Sequence, residues 1–309
     1  MKGYMNKLLN QLEEADTVSV IVPTLNVQKY IKEFIEALLA QNYPEDLIEI
    51  ILIDNGSSDK TVEIARNYPI KIIIEDTVKS PYAARNRGLE VATGKFIALI
   101  DANKMPHINW LKEGINALKV NKPDLVGGAI LFSLPSSPSA SNLYDSITFN
   151  NNYRLVTTEN GSATGNLFFQ RSLIDEIGMF PQEFRSGMDI WWTQKAVRDG
   201  FKLEYSEKAI VYCKPRNFIE IINKSYRVGK IHPFNQRQNG VSLFSVIIIT
   251  IKTFAPPGIS RYTEYKTISD SQILSIKIWF VAWLSKIYMG MGRTTGLLNM
   301  INQKGNHSF

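Results

Sequence analysis

The sequence predicts an α/β fold with a mostly parallel central sheet flanked by helices, followed by a C-terminal amphipathic helical tail. Apolar runs and helical repeats alternate four times over residues 18–120, at intervals of roughly 25 residues, the spacing of parallel strands joined by crossover helices. Two of those runs end abruptly on acids, Asp54 and Asp101. Open α/β sheets bind ligands in the crevice beyond such strand ends. With 309 residues, 44% hydrophobic and 21% charged, the chain can bury a core and is not a disordered tract.

The elements follow in order. Leu8, Leu9 and Leu12 lie scattered among polar residues, so Met1–Asp16 is expected to be a short amphipathic helix rather than a signal peptide. Val18–Val22 is a strand stopped by Pro23, with Thr24 and Asn26 in the turn that follows. Tyr30, Ile31, Phe34, Ile35, Leu38 and Leu39 recur at helical spacing until Tyr43-Pro44. Ile48–Ile53 is the second strand, and Ser58 or Asp59 caps a helix running to Arg66. Ile70–Glu75 is a strand, Tyr82–Ala92 a helix, Phe96–Ile100 a strand and Trp110–Val120 a helix. The fingerprint G-x-G-x-x-G does not follow the first strand, which excludes a dinucleotide glycine loop.

Leu125–Phe132 reads as a strand interrupted by Gly127-Gly128, and Ser133–Ser141 as a loop, either a flap near a ligand or plain surface. Ala163–Phe169 is a strand, Ile190–Arg198 a helix, Ala209–Cys213 a short strand, and Asn217–His232 a basic helix. Phe244–Ile251 is apolar but too short to span a bilayer. In the helix Ile273–Ile287 one stripe carries Ile273, Ile276, Phe280, Trp283, Leu284 and Ile287, with Ser275, Ala282 and Lys286 opposite. Such a helix either packs on the α/β domain or lies in a membrane interface with Trp at headgroup level.

The net charge of +6, from 35 Lys and Arg against 29 Asp and Glu, suits phosphate-bearing ligands or an anionic membrane surface. No basic run is dense enough for a nucleic-acid partner. Cys213 is the only cysteine, so there is no intrachain disulfide or thiolate metal cluster, and a cytoplasmic setting is expected.

The segment Gly94-Lys-Phe-Ile-Ala-Leu-Ile-Asp-Ala-Asn103 ends a buried strand on a carboxylate and an amide, oxygen ligands suited to a hard divalent cation that also holds phosphate. With Val18–Asn26, Ile53–Thr61 and Ala84-Arg-Asn-Arg-Gly88, in that order, it resembles the nucleotide-binding half of family 2 glycosyltransferases of the GT-A fold. The resemblance continues through Thr164–Arg171 and Gly178–Phe184 to Gly187-Met-Asp189. It implies a nucleotide-binding half of about 17–125, an acceptor half of about 126–240 and a helical C-terminal region, 241–309.

The family's roles carry over as follows. Pro23, Thr24 and Asn26 line the floor of the nucleotide pocket, and Asp54 accepts a hydrogen bond from the base, commonly uracil; the alternative for Asp54 is a turn cap. Arg85 reaches the phosphates, with Arg87 as a rival. Asp101 also meets the nucleotide, and Asp101 with Asn103 occupies the metal motif, normally two acids; the amide implies a weakly held Mg²⁺ or Mn²⁺. Lys104 either adds charge there or decorates the surface, the second being favoured. Asp189 is the general base that deprotonates an acceptor hydroxyl, giving inversion; alternatively it caps the helix Ile190–Arg198. Met188 stands where the family has Glu, and Tyr212 or Cys213 where it often has His.

The function implied is transfer from a nucleotide diphosphate sugar, in the family usually a UDP-sugar, to a glycan, glycolipid or surface-polysaccharide precursor at the cytoplasmic membrane face. The alternatives are a nucleotide-sugar-binding partner subunit without turnover and, ranked last, a nucleotidyltransferase.

Overall fold

The computed structural model describes residues 16–149, 151–184, 186–268 and 271–305. The helix expected at 1–16 falls almost wholly outside them. Contacts divide the chain into two compact units, residues 1–131 with 152–213 and residues 132–151 with 214–309.

The first unit is built on an eight-stranded sheet. Its strands are β1 (Val18–Thr24), β2 (Ile48–Asp54), β3 (Lys71–Ile74), β4 (Phe96–Ile100), β5 (Lys104–Pro106), β6 (Leu125–Phe132), β7 (Asn166–Gln170) and β8 (Leu203–Cys213), in the order β3-β2-β1-β4-β7-β6-β8-β5. β1 runs parallel to β2 and β4, and β2 to β3, so Thr24 lies beside Asp54 and Asp101 follows β4 at the same edge. Val18–Val22 and all of β4 are buried, the continuous apolar pattern of strands covered on both faces. Beyond β4 the pairing turns antiparallel, which makes the whole sheet mixed: β7 is antiparallel to β4 and β6, and β5 to β8. The mostly parallel expectation thus holds for β1–β4. Antiparallel pairing across long connections leaves no mark on the period-2 pattern of a single strand. The three-residue β5 was not expected at all.

Helices α1 (Ile31–Leu39), α2 (Thr61–Ala65), α3 (Pro81–Val91), α4 (Trp110–Val120), α6 (Asn152–Glu159), α7 (Leu173–Ile177) and α8 (Met188–Arg198) belong to this unit; α5 (Ala140–Thr148) belongs to the other. α3 is the unusual one. Ser80 caps it and Pro81 opens it, a favoured start. Its buried face holds Tyr82, Arg85 and Asn86 as well as Ala84 and Leu89. Buried polar side chains need partners, so they announce a site. Gly88 lets α3 press on the sheet: a Cβ there would meet Ile21 Cγ2 at 2.5 Å and Ile53 Cδ1 at 2.8 Å.

The second unit is helical, with α5, α9 (Phe218–Gln238), α10 (Leu243–Thr253), α11 (Ile259–Ile268) and α12 (Gln272–Gly305). Asn217 and Glu220 form a capping box that starts α9, which runs through Pro233 past the expected end at His232. α9 and α12 meet backbone to backbone. A Cβ on Gly292 would lie 2.1 Å from Tyr226 O, and one on Gly296 2.0 Å from Lys230 O. The face α12 turns inward is its small one: Ser275, Ile278, Ala282 and Ser285 are buried, and Ser285 Oγ meets Tyr144 Oη at 3.1 Å and Ser225 Oγ at 2.8 Å. Much of the apolar stripe therefore points outward, with Ile273 68% and Phe280 49% exposed. Among the described residues α12 is the one helix long and apolar enough to cross a membrane.

Candidate functional site

At the tip of β2, Asp54 is buried and fully engaged. Oδ2 accepts from the backbone N–H of Gly56 (3.1 Å) and Ser57 (2.8 Å). Oδ1 accepts from the Ser57 hydroxyl (2.5 Å) and, more weakly, from the Thr24 hydroxyl (3.4 Å). Asp54 thus performs the turn-capping role, and a carboxylate offers about four lone-pair sites in all. Asn26, left-handed at φ 53°, is exposed; its Oδ1 accepts from Ser58 N at 2.8 Å, while its own N–H donates to Ser57 Oγ at 2.9 Å. Pro23 lies opposite Ile53 in the ladder. Pro23, Thr24, Asn26 and Asp54 therefore form one braced cluster at the ends of β1 and β2.

A second network lies at the end of β4. Asp101 Oδ1 accepts from Arg85 Nη2 at 2.6 Å and Oδ2 from Lys104 Nζ at 2.5 Å. Burial alone would raise the Asp101 carboxyl, but the Lys104 and Arg85 cations overcome it and hold it well below the usual carboxylate range. Arg85 is buried, its guanidinium 5.5 Å over the Tyr82 ring, and its Nε has no acceptor among the described residues. Arg87, the rival, is exposed and paired with Glu90 at 2.8 Å.

Asp189 joins this network through Tyr82. The Tyr82 hydroxyl donates to Asp189 Oδ1 at 3.1 Å and accepts the backbone N–H groups of Met188 (3.0 Å) and Asp189 (3.4 Å). Burial, and then the Asp189 charge, push the Tyr82 hydroxyl far up, so it stays protonated and donates. The N-cap of α8 is the left-handed Gly187, not Asp189, so the capping alternative is corrected: Tyr82 satisfies the helix start and Asp189 stands free of that task. Two further anchors hold the segment before α8. Asn86 exchanges a pair of hydrogen bonds with Phe180 (2.9 and 3.0 Å), and the Ser80 hydroxyl donates to Phe184 O.

Sequence reasoning missed Tyr82, Asn86 and Ser80. The cue was present in a helix start whose polar residues fall on the face towards the sheet. It also misjudged Lys104, which is 4% exposed and no surface decoration. Trp192 is core, its Nε1 donating to Gly178 O at 2.8 Å. Cys213 is buried opposite Lys104 in the β5–β8 pair. The His107 ring lies beside Tyr212 and accepts from Asn109 N at 3.3 Å.

Asp101 and Asn103 are together, as a metal pair requires, but they surround an ammonium. Lys104 Nζ also donates to Asn103 Oδ1 at 3.3 Å. Both oxygens of the one carboxylate carry cations, and among the described residues no three His, Cys, Asp or Glu gather to hold a metal. As arranged, these residues do not fit Mg²⁺ or Mn²⁺, because the lone carboxylate's charge is already met.

Comparison with known proteins gives a consistent picture. Residues 19–178 match the family described as Glycosyl transferase family 2. The Haloferax volcanii protein named Glycosyltransferase AglE is 31% identical over 298 residues, 93% of this chain and 98% of that protein. The Staphylococcus aureus protein named Poly(ribitol-phosphate) beta-N-acetylglucosaminyltransferase TarS is 26% identical over 64% of this chain and 35% of its own length. Among solved structures, S. aureus TarS 1–349 with UDP-GlcNAc superposes with a TM-score of 0.53 at 18% identity, covering 93% of this chain and 92% of that one. The mannosyltransferase PcManGT from Pyrobaculum calidifontis with GDP-Man and Mn²⁺ gives 0.60 at 16% identity, covering 91% and 87%.

Proposed function

The chain belongs to glycosyl transferase family 2 and is a glycosyltransferase; on that premise we propose that it moves a sugar, with inversion, from a nucleotide diphosphate sugar to a glycan, glycolipid or surface-polysaccharide precursor. One observation carries the reading: Asp189, Tyr82, Arg85, Asp101 and Lys104 form an unbroken chain of contacts that joins a half-buried carboxylate to a pair of cations. The two ends have the chemistry that the two ends of the reaction need. Asp189 takes the proton of the acceptor hydroxyl as its oxygen attacks the anomeric carbon. Arg85, whose buried Nε has no partner among the described residues, is the cation that meets the charge developing on the departing diphosphate.

A UDP-sugar is the proposed donor. TarS is seen with UDP-GlcNAc and with UDP, and PcManGT with GDP-Man, so related folds take nucleotide sugars of either base. Pro23, Thr24, Asn26 and Asp54 form the base end. The weakest of the four bonds to Asp54, from Thr24 at 3.4 Å, is the one an imide N–H replaces while the turn stays capped. Mn²⁺ accompanies GDP-Man in PcManGT; here a divalent cation at Asp101 and Asn103 must first displace Lys104.

The helical unit supports work at the cytoplasmic face of a membrane. It holds 13 Lys and Arg against four Asp and Glu, so the positive excess of the chain resides there. It also exposes Phe244, Ile247 and Ile251 on α10 and Ile273, Ile276 and Phe280 on α12. Exposed apolar side chains on a unit with a positive excess suit the interface of an anionic bilayer.

A thermal-shift screen of UDP, GDP, UDP-GlcNAc and GDP-Man tests the donor, since a ligand of the folded state raises its melting temperature. Stabilisation by UDP and UDP-GlcNAc, with slow release of UDP from the latter, is expected. Stabilisation without any release, whatever the acceptor, would favour a binding subunit.

A further inference from the structure

This inference rests on the nucleotide-sugar reading and adds to it the identity of the cation that meets the diphosphate. We propose that Lys104 is the built-in cation of the diphosphate site, and that the donor binds without a divalent metal ion.

Lysine side chains ordinarily reach for water, and a buried one needs a partner and a reason. Lys104 is buried at the start of β5, its backbone N–H bonded to Asp101 O at 3.0 Å and its strand paired with β8 at Cys213. Its Nζ donates to Asp101 and to Asn103. The space it fills depends on Gly165, where a Cβ would lie 2.5 Å from Nζ, 2.6 Å from Cε and 2.8 Å from Asp101 Oδ2. A residue from another strand-loop segment thus leaves room for this ammonium beside this carboxylate.

The charges agree. A divalent ion between two carboxylates is neutral overall, and so is an ammonium between one carboxylate and one amide. The Asn at 103 and the Lys at 104 therefore compensate each other, and Arg85 leaves the cluster with one positive charge in excess. An ammonium has three N–H groups, of which the described residues engage two. The third remains for a diphosphate oxygen, and Arg85 Nε, buried beside the same carboxylate without a partner among the described residues, is a second donor that a small side-chain shift would turn to the ligand.

In the transfer, the bond from the anomeric carbon to the diphosphate oxygen breaks and its electron pair stays on that oxygen. The acceptor oxygen bonds to the carbon, and its proton passes to Asp189. Lys104 and Arg85 face the oxygen that gains charge, which is the electrostatic task a metal would otherwise perform.

Calorimetric titration of the full chain with UDP and with GDP, in excess EDTA and in excess MnCl₂, tests this, alongside Mn²⁺ binding read by electron paramagnetic resonance. Expected is binding of at least one nucleotide in EDTA, with an affinity that Mn²⁺ changes by no more than about twofold, and no tightly bound Mn²⁺ in the free protein. Lys104→Met should weaken the diphosphate by about tenfold or more, the loss of a charge-assisted contact. Binding only with Mn²⁺ would overturn the inference while leaving the nucleotide reading intact; no binding of either nucleotide under either condition would remove both. Should the Lys104→Met protein not fold, the wild-type titrations still decide.

Discussion

Tyr82 and Asp189, 107 positions apart, share a 3.1 Å hydrogen bond, and the same hydroxyl receives the first N–H groups of α8. One side chain thus both starts the helix and aims the carboxylate at its first turn. Tyr82→Phe removes the hydroxyl and leaves the ring that packs 6.0 Å from Phe180. The expected result is a fall in kcat of about 10- to 100-fold, from one or two lost hydrogen bonds. Nucleotide affinity should stay within about twofold, since the phosphate contacts proposed for Arg85 and Lys104 do not use the Tyr82 hydroxyl. An unchanged kcat would mean that Asp189 keeps its orientation without Tyr82.

Arg85 and Arg87 make a matched pair of tests. Arg85→Met should weaken UDP by about tenfold or more, because the buried guanidinium proposed to meet the phosphates is lost. Arg87→Ala removes only an exposed ion pair with Glu90, worth at most about 1 kcal/mol, and should leave both stability and affinity nearly unchanged. Titration calorimetry separates them; equal effects would contradict the assignment.

Outward apolar residues on α10 and α12 predict binding to vesicles of anionic lipid. Phe244→Glu and Phe280→Glu alter side chains that are 73% and 49% exposed, so the fold should survive. Each buried aromatic contributes about 2 kcal/mol at an interface, and the double variant should float with vesicles at least about 30-fold more weakly. Flotation at the wild-type level would leave these faces without a lipid role.

Protonation of His232 should weaken the fold. Burial first, then the Arg293 cation 3.2 Å away, lower it from the ordinary 6.5 to about 4. The folded state therefore binds the proton less readily than the unfolded chain. The stabilising contribution is present above pH 6.5 and is lost as pH falls towards 4. The full loss is on the order of 3 kcal/mol at most. Melting temperatures of the wild type and His232→Gln, measured from pH 7 to 4, should show the flatter profile in the variant; parallel profiles would contradict this.

What the sequence revealed and what it hid divide along a physical line. The alternation of β1–β4 with their helices was legible because each element declares its own period. The acids at strand tips were legible because strand and acid are neighbours in the chain. Lys104 looked like decoration because its burial depends on Gly165, some 60 positions on, where a missing Cβ makes room. Tyr82 was silent for the same reason, its partner lying on α8. The stripe of α12 is legible from its spacing, yet periodicity does not say which way it points; the small face Ser275, Ala282 and Ser285 packs, because close helix contact rewards small side chains. Two halves of the candidate site also differ. Asp101, Asn103, Arg85 and Asp189 are linked by contacts, whereas Asp54 with Thr24 and Asn26 forms its own braced cluster at the same sheet edge.

Asp189 as the base is the claim on which the transfer chemistry turns, and one comparison addresses it most directly. Wild type and Asp189→Asn are each given UDP-GlcNAc or GDP-Man, whichever binds, and release of the nucleoside diphosphate is timed beside its titration by calorimetry. A drop in release of about 100- to 10,000-fold, with nucleotide affinity unchanged within about twofold, is the predicted result. Release by Asp189→Asn at the wild-type rate would contradict the account.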